Sequence, residues 1–490
     1  MILAILLSTV AAPNAGPTLI ALEMNRPVVA VRAVFRSGSI DDPTGKEGLT
    51  ALCAALMVQG GTQKLSASDL IAALFPLAGE LDAQVDVEQT AWIGRVHRDN
   101  LDAYLPLFVD TLVAPRLDPK EFDRLRQNAI DDIEKRLRNA DDENLGKESL
   151  SQLLYGWSTP RHPYGHYVGG SVTSLKSITL SDIKTHIARV FTRDRLTLGV
   201  STDRTLVEAL DQKLAKLPAV SAPIAHLPLP SAPPARMLIV EKDTASTAVS
   251  LGFPYAAKRG DRDGYALMVV ASAFGEHRQF NGRLMQQMRG DRGLNYGDYA
   301  YIERFIQDGD STFAAPNIGR RQQLFSIWIR PVEPQQAAFA IRMALYETRN
   351  LVDKGLSAAE LEDTKLFLDG YSRLWEQTAS RRVGYAIDEQ FYGTPHFLSG
   401  LRERLPTLSL EEVNAALKKW IDPRKFEIAV VTKDTKTFVE QITRGAPTPI
   451  TYTVEKPAAI IEEDKTIAAF PIDMDKREIK IVRAEDLFER

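Results

Sequence analysis

Residues 48–58, GLTALCAALMV, form an apolar stretch in which positions 51, 54, 55 and 58 share one helix face by the i, i+3, i+4, i+7 rule. Side chains one turn apart on such a face point the same way, which suits metal ligation. Here they are Ala51, Ala54, Ala55 and Val58, and none carries a donor atom. Cys53 lies in the same stretch without a His or other base placed to activate it, so it reads as a small buried hydrophobe. His162 and His166 in RHPYGHY have a four-residue spacing, but Pro163 and Gly165 break any regular helix there and no third ligand accompanies them. Arg289 and Tyr296 in MRGDRGLNY stand seven positions apart. A guanidinium stays charged at neutral pH and a phenol can donate, but at this separation the two read on their own as a surface ion pair and a strand aromatic. Gly290 and Gly293 place a helix-to-strand turn between them, with Arg292 as a second candidate beside Arg289.

Elements must position these groups, and the chain is long enough for several. At 490 residues it suggests about three domains or two large ones. Apolar residues make up 44% and charged residues 25%, which fits a globular protein and excludes disordered, collagen-like and polytopic membrane classes. Lys and Arg total 60 against 64 Asp and Glu, so no net positive field draws the chain to nucleic acid. The single cysteine permits neither an intramolecular disulfide nor a cysteine zinc cage. The opening run MILAILLSTVAA, followed by Pro13, Asn14, Ala15 and Gly16, is expected to be a signal peptide over residues 1–16. That places the remainder in the periplasm or outside the cell, with no integral membrane segment.

Residues 217–236, LPAVSAPIAHLPLPSAPPAR, read as a Pro-rich linker between comparable halves at 17–216 and 237–448, with a tail at 449–490. The halves repeat. SITLSDIKTHIARVFTRDRLTLGVST from Ser177 lies over TLSLEEVNAALKKWIDPRKFEIAVVT from Thr407 at a constant offset of 230, and the apolar positions coincide through a helix and the following strand. LDPKEFDRLR from Leu117 parallels LSAAELEDTK from Leu356, and Tyr155-Gly156 parallels Tyr392-Gly393. Each half opens on an alternating strand (28–35; 247–255) followed by an apolar helix (48–58; 264–274), has further helices (101–112 and 119–137; 335–351 and 358–375), and ends on a helix and a strand. The expected architecture is α+β: two duplicated domains, each a mostly antiparallel sheet covered by helices on one face. One or two strands are expected in the tail.

Two such halves, with FRSGSIDDPTGKEGLTALCAALMVQGGT from Phe35, HPYG from His162 and MRGDRGLNYG from Met288, resemble the pitrilysin/insulinase family of zinc metallopeptidases, which includes the mitochondrial processing peptidase. In active members an H-x-x-E-H motif supplies two zinc ligands and a general base. The resemblance puts Ala51, Ala54 and Ala55 at those positions and the third ligand at Asp132, where Asp131-Asp132 otherwise reads as a solvated helix face. The family's Arg and Tyr, which bind substrate and stabilise the oxyanion, correspond to Arg289 and Tyr296. An edge strand that takes up substrate corresponds to GELDAQVDVEQTAWIGRV from Gly79, with Asp82-Ala83 at its motif and Val85, Val87 and Gln89 alternating with Asp86, Glu88 and Thr90. The resemblance therefore implies a chain without metal or other cofactor of its own: the non-zinc-binding subunit of a two-chain peptidase, acting on peptides with a zinc-bearing paralogous partner. The alternative is a catalytically inactive scaffold or peptide-binding protein of the same fold, like the family's core proteins of a respiratory complex.

Overall fold

The computed structural model describes residues 16–157, 161–221, 223–224, 227–228, 236–276, 282–306, 313–473 and 478–489. The expected signal segment, apart from Gly16, lies outside them, as do Pro230, Pro233 and Pro234 of the linker. The first half carries β1 (Thr18–Ala21), β2 (Val28–Phe35), α1 (Leu49–Gln59), α2 (Ala67–Leu74), β3 (Glu80–Val85), β4 (Thr90–His97), α3 (Leu101–Val113) and α4 (Pro119–Asp131). It continues with α5 (Asp142–Ser151), α6 (Val172–Ser177), α7 (Leu180–Val190), β5 (Leu196–Val200) and α8 (Arg204–Lys213). The second half carries β6 (Arg236–Glu241), β7 (Thr247–Tyr255), α9 (Gly264–Phe274), β8 (Asn295–Tyr301), β9 (Gln323–Val332), α10 (Ala337–Lys354), α11 (Ala358–Trp375) and α12 (Ala379–Tyr392). It ends with α13 (Phe397–Arg404), α14 (Leu410–Trp420), β10 (Glu427–Thr432), α15 (Thr435–Thr443), α16 (Ala458–Ala468) and β11 (Glu478–Arg483). The helix expected over 119–137 begins as α4 and widens at Asp132–Ala140 into a π-type run.

The duplication is explicit in the sheets. The first has the order β1-β5-β2-β4-β3 and the second β11-β6-β10-β7-β9-β8, so β6 to β10 repeat β1 to β5 strand for strand. In each, the repeated strands comprise one parallel pair (β1 with β5, β6 with β10) and an antiparallel remainder, and β11 adds a further parallel pair to the second sheet. The same local chemistry starts the repeated helix: the Thr179 hydroxyl accepts from Asp182 N ahead of α7, and the Ser409 hydroxyl from Glu412 N ahead of α14.

The expectation of helices on one sheet face alone is corrected. The central strands are buried on both faces, because each half covers the other's sheet with one helix: α12 lies on β2 and β5, and α5 lies on β7 and β10. Glycines permit the close approach. A Cβ at Gly199 on β5 would stand 2.6 Å from Val383 Cγ1, and one at Gly146 on α5 would stand 3.3 Å from Ser250 Oγ. Arg32, buried in mid-strand, explains how polarity is tolerated there: it donates to Ser380 O at 3.0 Å, Ser380 Oγ at 3.0 Å and Asn317 Oδ1 at 2.7 Å.

The strand expected through residues 85–90 is also corrected. β3 stops at Val85 and β4 begins at Thr90; residues 86–89 form the hairpin connection, closed by Asp86 N to Gln89 O at 2.9 Å. Its carboxylates are not solvated. Arg320 grips Asp86 through two bonds of 2.8 and 3.1 Å, Arg321 and Tyr164 bond Glu88, and Gln89 accepts from Gly319 N at 2.6 Å. The turn thus latches the first half to the second.

The tail is a helix and a strand. α16 packs on α10, and β11 adds to β6 in parallel. Beyond β11 the chain reaches the first half, where Phe488 stacks on Tyr167 at 5.5 Å, and Glu489 pairs with Arg138 at 2.6 Å and accepts from Val172 N at 3.1 Å.

Candidate functional site

The stretch between β2 and α1 explains how the helix with the alanine face is set. Asp42 accepts from Gly48 N at 2.8 Å, Thr50 N at 2.8 Å and Thr50 Oγ1 at 2.6 Å, satisfying free donors at the helix start. Gly48 has φ 89°, and a Cβ there would meet Gly169 O at 2.6 Å, so only glycine fits the approach of the two segments.

The alanine face opens on a cavity of about 610 Å³. Ala51, Ala54, Ala55 and Val58 line it, opposite Asp82, Ala83 and Val85 of β3. The structure therefore brings together two features that the sequence places about thirty residues apart. β3 stands at the sheet edge, and its Asp82 Oδ1 accepts from Ala83 N at 2.8 Å, so that edge donor is capped by the chain itself.

Charged residues that the sequence reading missed complete the wall. Lys147 on α5 is buried, pairs with Glu143, and sits 3.7 Å from the Trp328 ring centroid. Burial pulls its pKa down to about 8, opposed by Glu143. Glu148 pairs with Arg304 at 3.0 Å, and Glu143 also pairs with Arg330. Asp86 lines the same cavity; burial raises its pKa, but Arg320 and Arg304 more than offset this and leave it below the usual carboxylate range. The i, i+4 spacing of Glu143 and Lys147 was the one available signal, and it reads equally as an exposed helix pair. Their burial depends on α5 crossing to the second half.

A metal does not fit this wall. The three alanines offer methyl groups, and Asp132 lies outside the cavity lining, bonded to Arg136 through 2.5 and 2.8 Å contacts. Among the described residues no group of three or more His, Cys, Asp or Glu is placed to hold a metal ion. Cys53 is buried, its thiol 3.8 Å from Ile183 O, and burial pushes its pKa well up, which suits packing and not nucleophilic attack. His162 and His166 go separate ways: the first lies 3.0 Å from Gln322 Oε1, the second 3.7 Å from Asp42 Oδ2.

Arg289 and Tyr296 come together apart from the cavity lining. Arg289 is the last residue but one of a π-type turn, Met285–Gly290, and Tyr296 is the second residue of β8. The guanidinium carbon lies 4.5 Å from the Tyr296 ring centroid, and Tyr296 is 68% exposed. Two residues on, Asp298 is buried; it accepts from Asn295 Nδ2 through Oδ1, and its Oδ2 has no partner among the described residues. Burial pushes its pKa up to about 8, against the pull of Asn295 and Arg289. Arg292, the second candidate, is buried and committed to Glu463 and Asp464, each at 2.7 Å. It is not free to meet a substrate.

With the duplicated halves and the alanine face in place, the sequence comparisons agree. Residues 19–156 match Insulinase (Peptidase family M16), and residues 177–368 match the Peptidase M16 inactive domain. The chain belongs to peptidase family M16. It is 23% identical over 421 residues to the non-peptidase homolog YmxG of Helicobacter pylori, covering 84% of this chain and 90% of that one. It is 24% identical over 396 residues to an uncharacterised zinc protease of Mycobacterium bovis, covering 79% of this chain and 85% of that one. A solved M16 inactive domain from Pseudomonas fluorescens shares the fold at TM-score 0.74 and 22% identity, over 85% of this chain and 95% of that one. No helix among the described residues is long and apolar enough to cross a membrane.

Proposed function

We propose that this chain is the non-zinc-binding subunit of a two-chain M16 peptidase, supplying Arg289 and Tyr296 to a peptide held at the zinc site of a paralogous partner. The observation that carries the reading is the stack of half-buried Arg289 on exposed Tyr296 in a chain whose own motif positions are alanines. A guanidinium and a phenol, both donors, suit a peptide carbonyl and the negative charge that develops on its oxygen. β3 with Asp82 and Ala83 would take the peptide as an added strand once the Asp82 cap on Ala83 N is displaced. Zinc would belong to the partner, and the chain would work with its partner in the periplasm or outside the cell.

Recovery of the tagged chain from its host, with zinc analysis and mass spectrometry of the eluate, tests this. The expected result is a one-to-one partner bearing H-x-x-E-H and no stoichiometric zinc on the purified chain alone. Zinc at one equivalent on the isolated chain, or peptide cleavage by it, would contradict the reading. A scaffold or peptide-binding role is favoured by one observation, the buried ion pairs that line the cavity. It predicts an assembly whose proteolysis is unaffected by changes at Arg289 and Tyr296.

A further inference from the structure

The turn that joins Arg289 to Tyr296 has little packing of its own. Gly293 adopts φ 62° with nothing within 4 Å of a Cβ placed there, and the nearest atom to a Cβ at Gly290 is Met285 O at 3.8 Å. Glycines at both positions allow the bend and leave the unfolded turn many conformations; backbone bonds from Gly293 N to Arg289 O at 2.9 Å and from Leu294 N to Met288 O at 3.0 Å close it, and side chains must hold the closed turn in place. Two are buried, Leu294 in the apolar core and Arg292.

Arg292 works as a clamp. Its Nε donates to Asp464 Oδ1 at 2.7 Å and its Nη2 to Glu463 Oε2 at 2.7 Å, both on α16. Nη1 donates to Gln287 O at 3.0 Å and Gln287 Oε1 at 3.1 Å, on the π-type turn that carries Arg289. One planar guanidinium thus ties the tail helix to the element carrying Arg289, a geometry that an ammonium could not reproduce. The tail reinforces the joint: Tyr452 donates to Asp464 Oδ2 at 2.6 Å, Lys456 donates to Asp291 O, and Tyr346 of α10 donates to Glu463 at 3.4 Å.

We propose that the tail helix α16, through Glu463 and Asp464 on Arg292, positions the Arg289/Tyr296 pair. Arg292 is a positioning residue and makes no substrate contact; this inference rests on the functional reading above and assigns the tail its part in it. Without the clamp the turn samples other conformations, and the guanidinium no longer stays stacked on the Tyr296 ring.

The test replaces Glu463→Gln together with Asp464→Asn in the full chain and follows amide exchange by mass spectrometry. Exchange over residues 290–297 is expected to rise about tenfold or more with β9 unchanged. In the complex with its zinc-bearing partner, kcat is expected to fall about tenfold with KM and stoichiometry unchanged. If the double variant does not fold, Arg292→Lys, which keeps the charge and loses the fork, is expected to give the same local increase. A folded variant whose 290–297 exchange equals that of the parent overturns the proposal. Arg289→Ala in the parent complex is the separate control: unchanged cleavage there removes the functional reading, while exchange still decides whether the clamp orders the turn.

Discussion

Asp298 carries a buried carboxyl oxygen without a partner among the described residues, two residues from Tyr296, and its ionisation sets a local pH dependence. With a folded pKa of about 8 against 3.8 for an ordinary aspartate, the unfolded chain releases its proton first as pH rises. The folded state holds more protons between pH 4 and 8, so this group's contribution to stability is full below 4 and is lost as pH rises through 8. Asp298→Asn removes the titration at nearly constant shape. Thermal melts are expected to show a gain for the variant that is larger at pH 8.5 than at pH 5; an equal difference at both would show that Asp298 does not hold its proton. A second residue, Asp82, caps Ala83 N on the edge strand. Asp82→Ala removes that competitor, and because a net hydrogen bond contributes about 0.5–1.5 kcal/mol, binding of a neutral extended peptide is expected to tighten roughly 2- to 10-fold by calorimetry. Weaker or unchanged binding would mean that the peptide does not use this edge.

At the scale of elements, the exchange of α5 and α12 between halves explains why the central strands lack an alternating polar face. Gly199→Ala would place a methyl 2.6 Å from Val383 Cγ1 and push α12 off β5. Urea unfolding is expected to show a loss of about 1–3 kcal/mol, as for other overpacked cores. This crossing also marks the limit of what the sequence revealed. The 230-residue offset and most strand and helix spans were legible because each rests on the order and spacing of residues along the chain. The alanine face was legible too, since helical spacing fixes which residues share a side. The hairpin turn at 86–89 was misread as strand because Val85, Val87 and Gln89 alternate with charged residues. Their arginine partners lie more than 200 positions away, beyond any local pattern. The burial of Lys147 and Arg292 was hidden for the same reason: each lies against a partner element from a distant part of the chain.

Across the whole molecule, the halves are joined by the linker, the crossed helices, the 86–89 latch and the tail that ends on Tyr167 and Val172. The latch has the largest expected effect. Asp86→Ala would leave the buried Arg320 guanidinium without its carboxylate, and losing one partner of a buried pair costs about 3–5 kcal/mol. Chemical denaturation is expected to show that loss, with the transition of the first half separating from that of the second. A single transition at the parent midpoint would show that the latch contributes nothing.

The most direct measurement of the central claim is cleavage of a fluorogenic peptide by this chain mixed with its zinc-bearing partner, comparing the parent with Arg289→Ala at matched complex concentration. Loss of one oxyanion donor lowers kcat by about 10²–10³. This chain alone is expected to show no activity, the mixture is expected to cleave, and the variant complex is expected to show a fall in kcat of that size. Full activity from the Arg289→Ala complex, or cleavage by the isolated parent chain, would contradict the claim.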